Sequence, residues 1–250
     1  MKRIDLVEIP HNRKIGDECE LIEPNVTEDC IFYADGKPIG FFLTKLPPKL
    51  GNLADIANNE LRSKNVPKSS MKRSSGVEQF STIIGGVPPK PHMRRPYATM
   101  SSVHNVKSAQ TFIKAMLMLV IESEKIIKEL IPDVYDEQVK VFEEVPNKWR
   151  FGNLFTSSIS NYNIPAPFHR DAGNLINCVN VIITKRENSV GGNLHIPDYN
   201  ATIGQSNNSM LVYPAWRNMH GVTPIVPTKE GGYRNSLVFY PLKAFKNLND

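Results

Sequence analysis

A chain of 250 residues, 40% of them hydrophobic, is long enough to bury a core of domain size. It holds no apolar run of about 18 residues, which excludes a membrane-spanning helix. Thirty Lys and Arg against 25 Asp and Glu leave a formal charge of +5, which permits a polyanionic partner without requiring one.

Cys19, Cys30 and Cys178 are scattered and odd in number. They offer neither a disulfide framework nor the paired spacing of structural zinc, and they point to a reducing compartment. The opening Met-Lys-Arg-Ile-Asp-Leu-Val-Glu-Ile-Pro lacks the apolar stretch of a signal peptide, so a cytoplasmic location is expected. No membrane and no obligate protein partner is implied.

In chain order, residues 29–43 predict a hairpin, two β-rich runs flanking the turn pair Asp35-Gly36. Leu53, Ile56, Ala57 and Leu61 are near helical spacing and predict a short helix over 50–63. Residues 62–76 have no apolar period and carry Arg62, Lys64, Lys68, Lys72 and Arg73. They read as a mobile basic loop, either a solvated linker or a segment that orders on phosphates. A Gly- and Pro-rich stretch over 83–97 precedes the clearest helix, 107–130, with Phe112, Ala115, Met116, Leu119, Ile126, Ile127 and Leu130 on one stripe and Pro132 as its stop.

After Pro146 the pattern turns to short strands at 151–160, 176–184, 193–196, 209–213, 221–226 and 235–240, punctuated by Pro, Gly and Asn. The expected fold class is α+β, a double-stranded β-helix (jelly roll) core buttressed by N-terminal helices. One domain over 1–250 is expected. Residues 1–145 would give the hairpin, basic loop and helices, and 146–250 the core.

His169 and Asp171 sit two residues apart, His220 follows 51 residues after His169, and Arg234 another 14 on. Two residues apart on an extended strand share a face, so His169 and Asp171 can bind one ion, with His220 arriving from a distant strand. Two imidazoles and one carboxylate can cover one face of Fe(II), leaving positions for an oxo acid and for dioxygen. Arg234 can grip the far carboxylate of such an acid with two parallel hydrogen bonds, and Ser236 shares its strand face. His195 competes for the second histidine position, but it would leave Arg234 too far along the chain and His220 without a task. It reads as a satisfied histidine. Arg94, Arg95 and Asn161 are further polar candidates for the oxo acid.

At these residues the sequence resembles the TET/JBP family of DNA-base dioxygenases. His169-Arg170-Asp171-Ala172-Gly173-Asn174 is similar to a His-Arg-Asp-x-x-Asn run of that family, and Arg234-Asn235-Ser236-Leu237-Val238-Phe239-Tyr240 to its Arg-x-Ser-Leu-Val-Phe-Tyr run. Gly191-Gly192-Asn193-Leu194 and His220-Gly221-Val222 fit the same core. The resemblance spans roughly 151–245 and implies an Fe(II)/2-oxoglutarate-dependent dioxygenase that uses dioxygen, with ascorbate as reductant in vitro. It implies His169, Asp171 and His220 as iron ligands, Arg234 and Ser236 as holders of 2-oxoglutarate, Asn174 as a polar contact to a flipped base and Tyr240 as its stacking face. The implied partner is double-stranded DNA with a flipped base, and the favoured reaction is 5-methylcytosine to 5-hydroxymethylcytosine.

Two departures qualify this. Leu242 stands where animal TET enzymes carry a base-contacting His, which keeps a thymine hydroxylase of the JBP kind, giving 5-hydroxymethyluracil, open. The Cys-rich zinc region of the animal enzymes is missing, as expected of a compact microbial or phage member. A hydroxylase of a protein or small-molecule substrate is a further alternative, and a non-enzymatic jelly-roll binding module a remote one. Asn174 also reads as a turn residue and Tyr240 as core packing.

Overall fold

The computed structural model describes residues 1–70 and 78–248. The helices are α1 (Pro48–Arg62), α2 (Gln110–Leu130) and α3 (Pro132–Phe142). The strands, in chain order, are β1 (Lys2–Asp5), β2 (Cys30–Ala34), β3 (Lys37–Leu43), β4 (Ser69–Ser70), β5 (Phe80–Val87), β6 (Thr99–Met100), β7 (Ser157–Tyr162), β8 (Ala166–His169), β9 (Asn180–Glu187), β10 (Ser189–Gly191), β11 (Leu194–Ile196), β12 (Ala201–Ile203), β13 (Ser209–Tyr213), β14 (His220–Val222), β15 (Ile225–Pro227) and β16 (Tyr233–Tyr240).

Two sheets face one another. The large one runs β1-β2-β3-β13-β9-β16-β7-β5-β4, with β6 on β5; the small one runs β12-β11-β14-β8; β10 and β15 pair separately. Strand β16 is antiparallel to both β9 and β7 and occupies the middle of the large sheet. The expected α+β fold with a jelly-roll core is therefore present. No helix among the described residues is long and apolar enough to cross a membrane.

The outer face of the large sheet carries the main core. Leu237 and Phe239 of β16, Val181 and Ile183 of β9 and Met210 and Val212 of β13 join one buried cluster with Leu53, Ala57 and Leu61 of α1 and Phe112, Met116, Leu119 and Ile127 of α2. Proline at the start of α1 fits the first helical turn, where its missing N–H costs nothing. Ile56, expected on the buried stripe, is instead exposed. The hairpin β2–β3 forms as read, with Asp35 and Gly36 both at positive φ, the conformation a two-residue turn of this twist requires.

Several elements depart from the sequence reading. Pro132 ends α2 but also opens α3, which the sequence reading left out. Gln138 of α3 donates to the Leu154 carbonyl at 2.7 Å and accepts from the Val179 N–H at 2.9 Å, tying that helix to two loops. The strand expected over 151–160 starts only at Ser157, because 152–154 form a turn around a buried carboxylate. Glu124 of α2 accepts from Asn153 N at 2.7 Å, Asn153 Nδ2 at 2.7 Å and Leu154 N at 2.9 Å, and Gly152 takes φ +73°. Likewise 176–177 form a turn and 178–179 are irregular ahead of β9. Strand β8 is absent from the predicted strand runs, although the spacing of His169 and Asp171 implied an extended strand there; it ends at His169. Pro167 lies within it, tolerated because β8 is the edge of the small sheet. Of the basic loop, Arg62 closes α1 with its guanidinium 4.1 Å from the Tyr233 ring, Lys68 lies 4.4 Å from the Phe80 ring, and 71–76 fall outside the described residues.

Burial raises the Glu124 carboxyl above the ordinary range, against the three donors that favour its charged form. Glu124→Ala strands the main-chain N–H of buried Leu154 and removes the acceptor for that of the exposed Asn153, and should lower the unfolding free energy by about 2 kcal/mol in urea titration; a loss under about 0.5 kcal/mol would mean the turn holds itself.

Candidate active site

A cavity of about 340 Å³ lies between the two sheets. Strands β7, β9 and β16 line one side and β8, β11 and β14 the other. His169, Asp171, Asn174, His220, Arg234, Ser236 and Tyr240 all face it.

Pairing in the small sheet builds its centre. His169 is the last residue of β8 and His220 the first of β14, and the two are register partners. Their ring centroids are 4.4 Å apart. Asp171 lies in the turn beyond β8 rather than along the strand; its N–H donates to the Ala215 carbonyl at 3.1 Å, and the turn closes with Asn174 N donating to Asp171 O at 2.9 Å. The shared face thus comes from a turn, not from strand alternation. One ligand atom from each of His169, Asp171 and His220 lies within 4.8 Å of the others, and His169 Nε2 is 3.5 Å from Asp171 Oδ1.

Hydrogen bonds behind these groups set their orientation. His169 Nδ1 donates to the Pro167 carbonyl at 2.8 Å and His220 Nδ1 to the Asn218 carbonyl at 3.1 Å. Each ring then carries its proton on Nδ1 and presents a lone pair at Nε2, the tautomer a metal ligand needs. Burial, with His169 beside it, pushes the His220 imidazole below the ordinary histidine range and favours its neutral form. Asp171 Oδ2 accepts from Asn180 Nδ2 at 3.0 Å and, at the longer 3.5 Å, from Asn174 Nδ2, which leaves Oδ1 on the histidine side.

Along β16 the two-residue period puts Arg234, Ser236, Val238 and Tyr240 on the cavity face. Arg234 is 2% exposed. Its Nη2 donates to Gln205 Oε1 at 2.9 Å, while its own Nε and Gln205 Nε2 are buried without a partner. Among the described residues no carboxylate pairs with it. Burial, reinforced by Arg186, brings its pKa down to about 9. Gly192 is at φ +66°, and a Cβ there would come within 3.0 Å of Arg234 Cδ. At the other end of the strand Tyr240 is half-buried, its hydroxyl pushed up to about 12 by burial and by the Asp171 charge. Asn174 is buried, with its amide nitrogen donating to Asn180 Oδ1 at 2.8 Å.

Asn180 and Gln205 were missed by the sequence reading: one opens a strand and the other sits in Gly-Gln-Ser-Asn-Asn, which reads as an ordinary polar loop. Of the extra polar candidates, Asn161 lines the cavity, whereas Arg94 and Arg95 do not; Arg95 donates to the Pro88 carbonyl within its own loop. His195 points away from the cavity, its Nδ1 2.8 Å from Thr202 Oγ1, and is a satisfied core histidine.

The family model Tet_JBP, the oxygenase domain of the 2OGFeDO superfamily, matches residues 88–243. Among solved structures the chain is similar to NgTET1 in complex with 5mC DNA, at 18% identity over 94% of this chain and 84% of that one, with a TM-score of 0.61. It is also similar to a 2OG-Fe(II) oxygenase family oxidoreductase from Burkholderia pseudomallei (14% identity, 82% and 87% of the two chains, TM-score 0.47). A third is a prolyl-4-hydroxylase from Pseudomonas putida (14%, 82% and 93%, 0.43). No curated protein matches in sequence. The likeness to NgTET1 speaks for the fold, whereas the family match spans more than half of the sequence. The chain belongs to the TET/JBP family of Fe(II)- and 2-oxoglutarate-dependent oxygenases and is an oxidoreductase.

Proposed function

We propose that this oxygenase hydroxylates the 5-methyl group of a pyrimidine in DNA, with 5-methylcytosine to 5-hydroxymethylcytosine the favoured reaction. The observation that carries the reading is the order of side chains across one cavity. A buried unpaired guanidinium stands at one end of β16 and a half-buried aromatic at the other, with the two imidazoles and the carboxylate facing that strand. NgTET1, the structural relative, is described in complex with 5mC DNA. The net charge of +5 suits a polyanion.

The donor set suits the groups this family uses. Two neutral imidazoles and one carboxylate are a ligand set for Fe(II). The unpartnered Arg234 Nε and Gln205 Nε2 suit a carboxylate that has yet to bind. In this reading His169, Asp171 and His220 hold the iron, and Arg234 and Ser236 hold 2-oxoglutarate. When bound, iron, 2-oxoglutarate and dioxygen supply the oxidation, the oxo acid leaving as succinate and carbon dioxide while the methyl gains a hydroxyl. The residues of this chain bind, orient and keep water out. Ile159, Ile182, Leu194 and Val238 make the cavity wall apolar. Asn180 fixes the Asp171 carboxylate. Tyr240 offers a stacking face to a base taken out of the duplex, and Asn174 a polar edge contact. Leu242 lines the cavity beside them and offers the base no hydrogen bond. That keeps thymine open as the alternative substrate, giving 5-hydroxymethyluracil.

The decisive assay is nucleoside mass spectrometry on a duplex with 5-methylcytosine and on an unmethylated one, each with Fe(II), ascorbate and 2-oxoglutarate. Hydroxymethylcytosine from the first alone supports the favoured reaction, hydroxymethyluracil from both supports thymine, and succinate without either product removes DNA as the substrate. His169→Ala should give no oxidised base in this assay, and wild-type yield from it would overturn the ligand assignment. Tyr240→Ala should slow oxidation of DNA by about 10-fold while the KM for 2-oxoglutarate holds; equal DNA turnover would remove the stacking role. Because Arg234 carries its charge below about pH 9 and loses it above, the KM for 2-oxoglutarate should be flat near neutrality and rise as pH passes that value. A KM that stays flat would mean that Arg234 keeps its charge beyond that pH.

A further inference from the structure

Residues 9–19 form neither helix nor strand and lie outside the part of the chain that matches the family, yet they touch the small sheet beside both histidines of the cavity. Three contacts converge there. First, Gly16 N donates to the Phe168 carbonyl and Phe168 N to the Asp17 carbonyl, both at 2.8 Å, so the segment pairs with the open edge of β8 one residue before His169. A turn presents these groups, with Lys14 N donating to Asp17 Oδ2 at 2.8 Å and Gly16 at φ +95°. Second, Cys19 is buried against Phe168 and Met219, and a Cβ on Gly221 would come within 2.8 Å of the Cys19 Cβ. Phe168 and Met219 precede the two histidines and Gly221 follows one. Alternation therefore turns His169 and His220 to the cavity and their neighbours to the segment.

The third contact runs through side chains. Arg13 N donates to His11 Nδ1 at 3.1 Å, so His11 carries its proton on Nε2 and donates it to Asp198 Oδ1 at 2.6 Å. The second oxygen of that carboxylate accepts from Asn218 Nδ2 at 2.6 Å. Asn218 in turn supplies the carbonyl that takes the proton of His220 Nδ1. Asp198 thus bridges the segment and the site, holding His11 of the segment at one oxygen and, at the other, the residue that aims one imidazole.

We propose that residues 9–19 are a strap that positions His169 and His220, with Asp198 as its key positioning residue. The inference rests on the reading of those histidines as iron ligands. Groups that orient a metal ligand without touching the metal commonly change affinity by about 10-fold or more. The strap therefore acts on metal binding before any step of turnover.

The test is Mn(II) titration of the full chain, with free Mn(II) read by electron paramagnetic resonance and the melting temperature recorded for each variant. Asp198→Ala should weaken Mn(II) binding about 10-fold, and Asp198→Asn, which keeps an acceptor for Asn218, should recover most of it. Gly16→Pro removes the N–H that pairs with β8 and, because proline cannot take φ +95°, also breaks the turn that presents the segment; at this exposed position it should weaken binding in the same direction, so the test survives if Asp198→Ala fails to fold. Asn25→Ala loosens the same N-terminal region where it bonds Thr202 N and the Asn200 carbonyl, away from the histidine strands, and should leave Mn(II) affinity unchanged. Wild-type affinity in both Asp198→Ala and Gly16→Pro, with His169→Ala losing binding, would overturn the strap alone. An equal loss in Asn25→Ala would reduce it to general destabilisation. Wild-type affinity in His169→Ala would overturn the ligand reading and the strap together.

Discussion

Strand β16 faces two environments, and its two-residue period keeps them apart. Tyr233, Leu237 and Phe239 turn outward into the core under α1 and α2, while Arg234, Ser236, Val238 and Tyr240 turn inward. A slip of one residue would exchange the faces, placing a guanidinium in the apolar core and phenylalanine in the cavity. Pairing to β9 on one side and β7 on the other prevents that slip. The helices therefore serve the site at a distance: by burying the outer face they fix which residues the inner face presents.

The inner face ends on a charge that the protein leaves uncompensated. An ionised side chain removed from water without a counter-charge costs several kcal/mol, and the pKa of Arg234, down to about 9, is the sign of that cost. Gln205 offers one neutral acceptor, and Arg186 across the strand pair adds a like charge. Such an arrangement gains stability when an anion enters and is poor packing otherwise. At the cavity centre the opposite holds. Asp171, His169 and His220 already have hydrogen-bond partners behind them, which leave their ligand atoms aimed at one point. One part of the cavity is short of an anion and the other is set for a cation, as an iron enzyme with an acidic co-substrate requires.

Much of this was legible in the sequence where local rules decide. Asp35-Gly36 specified its hairpin, the apolar stripe of α2 its helix, and Arg234-x-Ser236 its common face. What failed depends on long-range partners. The turn at 152–154 exists because Glu124, 28 residues before Gly152, reaches it as an acceptor. Strand β8 contains Pro167, which argues against a strand until its edge position is known. Strands of three residues, such as β10 and β12, are too short for any period. Asn180 and Gln205 gain their roles only once folding sets them beside Asp171 and Arg234, and nothing in their own sequence neighbourhood announces it.

The central claim is that the buried guanidinium of Arg234 is the anchor for the acidic co-substrate. Its most direct test is calorimetric titration of 2-oxoglutarate into the Fe(II)-loaded protein under anaerobic conditions, comparing the natural chain with Arg234→Met. The account predicts binding to the natural chain and a loss of at least about 2 kcal/mol in the variant, the scale of a charged hydrogen-bonded pair broken in a buried site. Equal affinity in the two would contradict it.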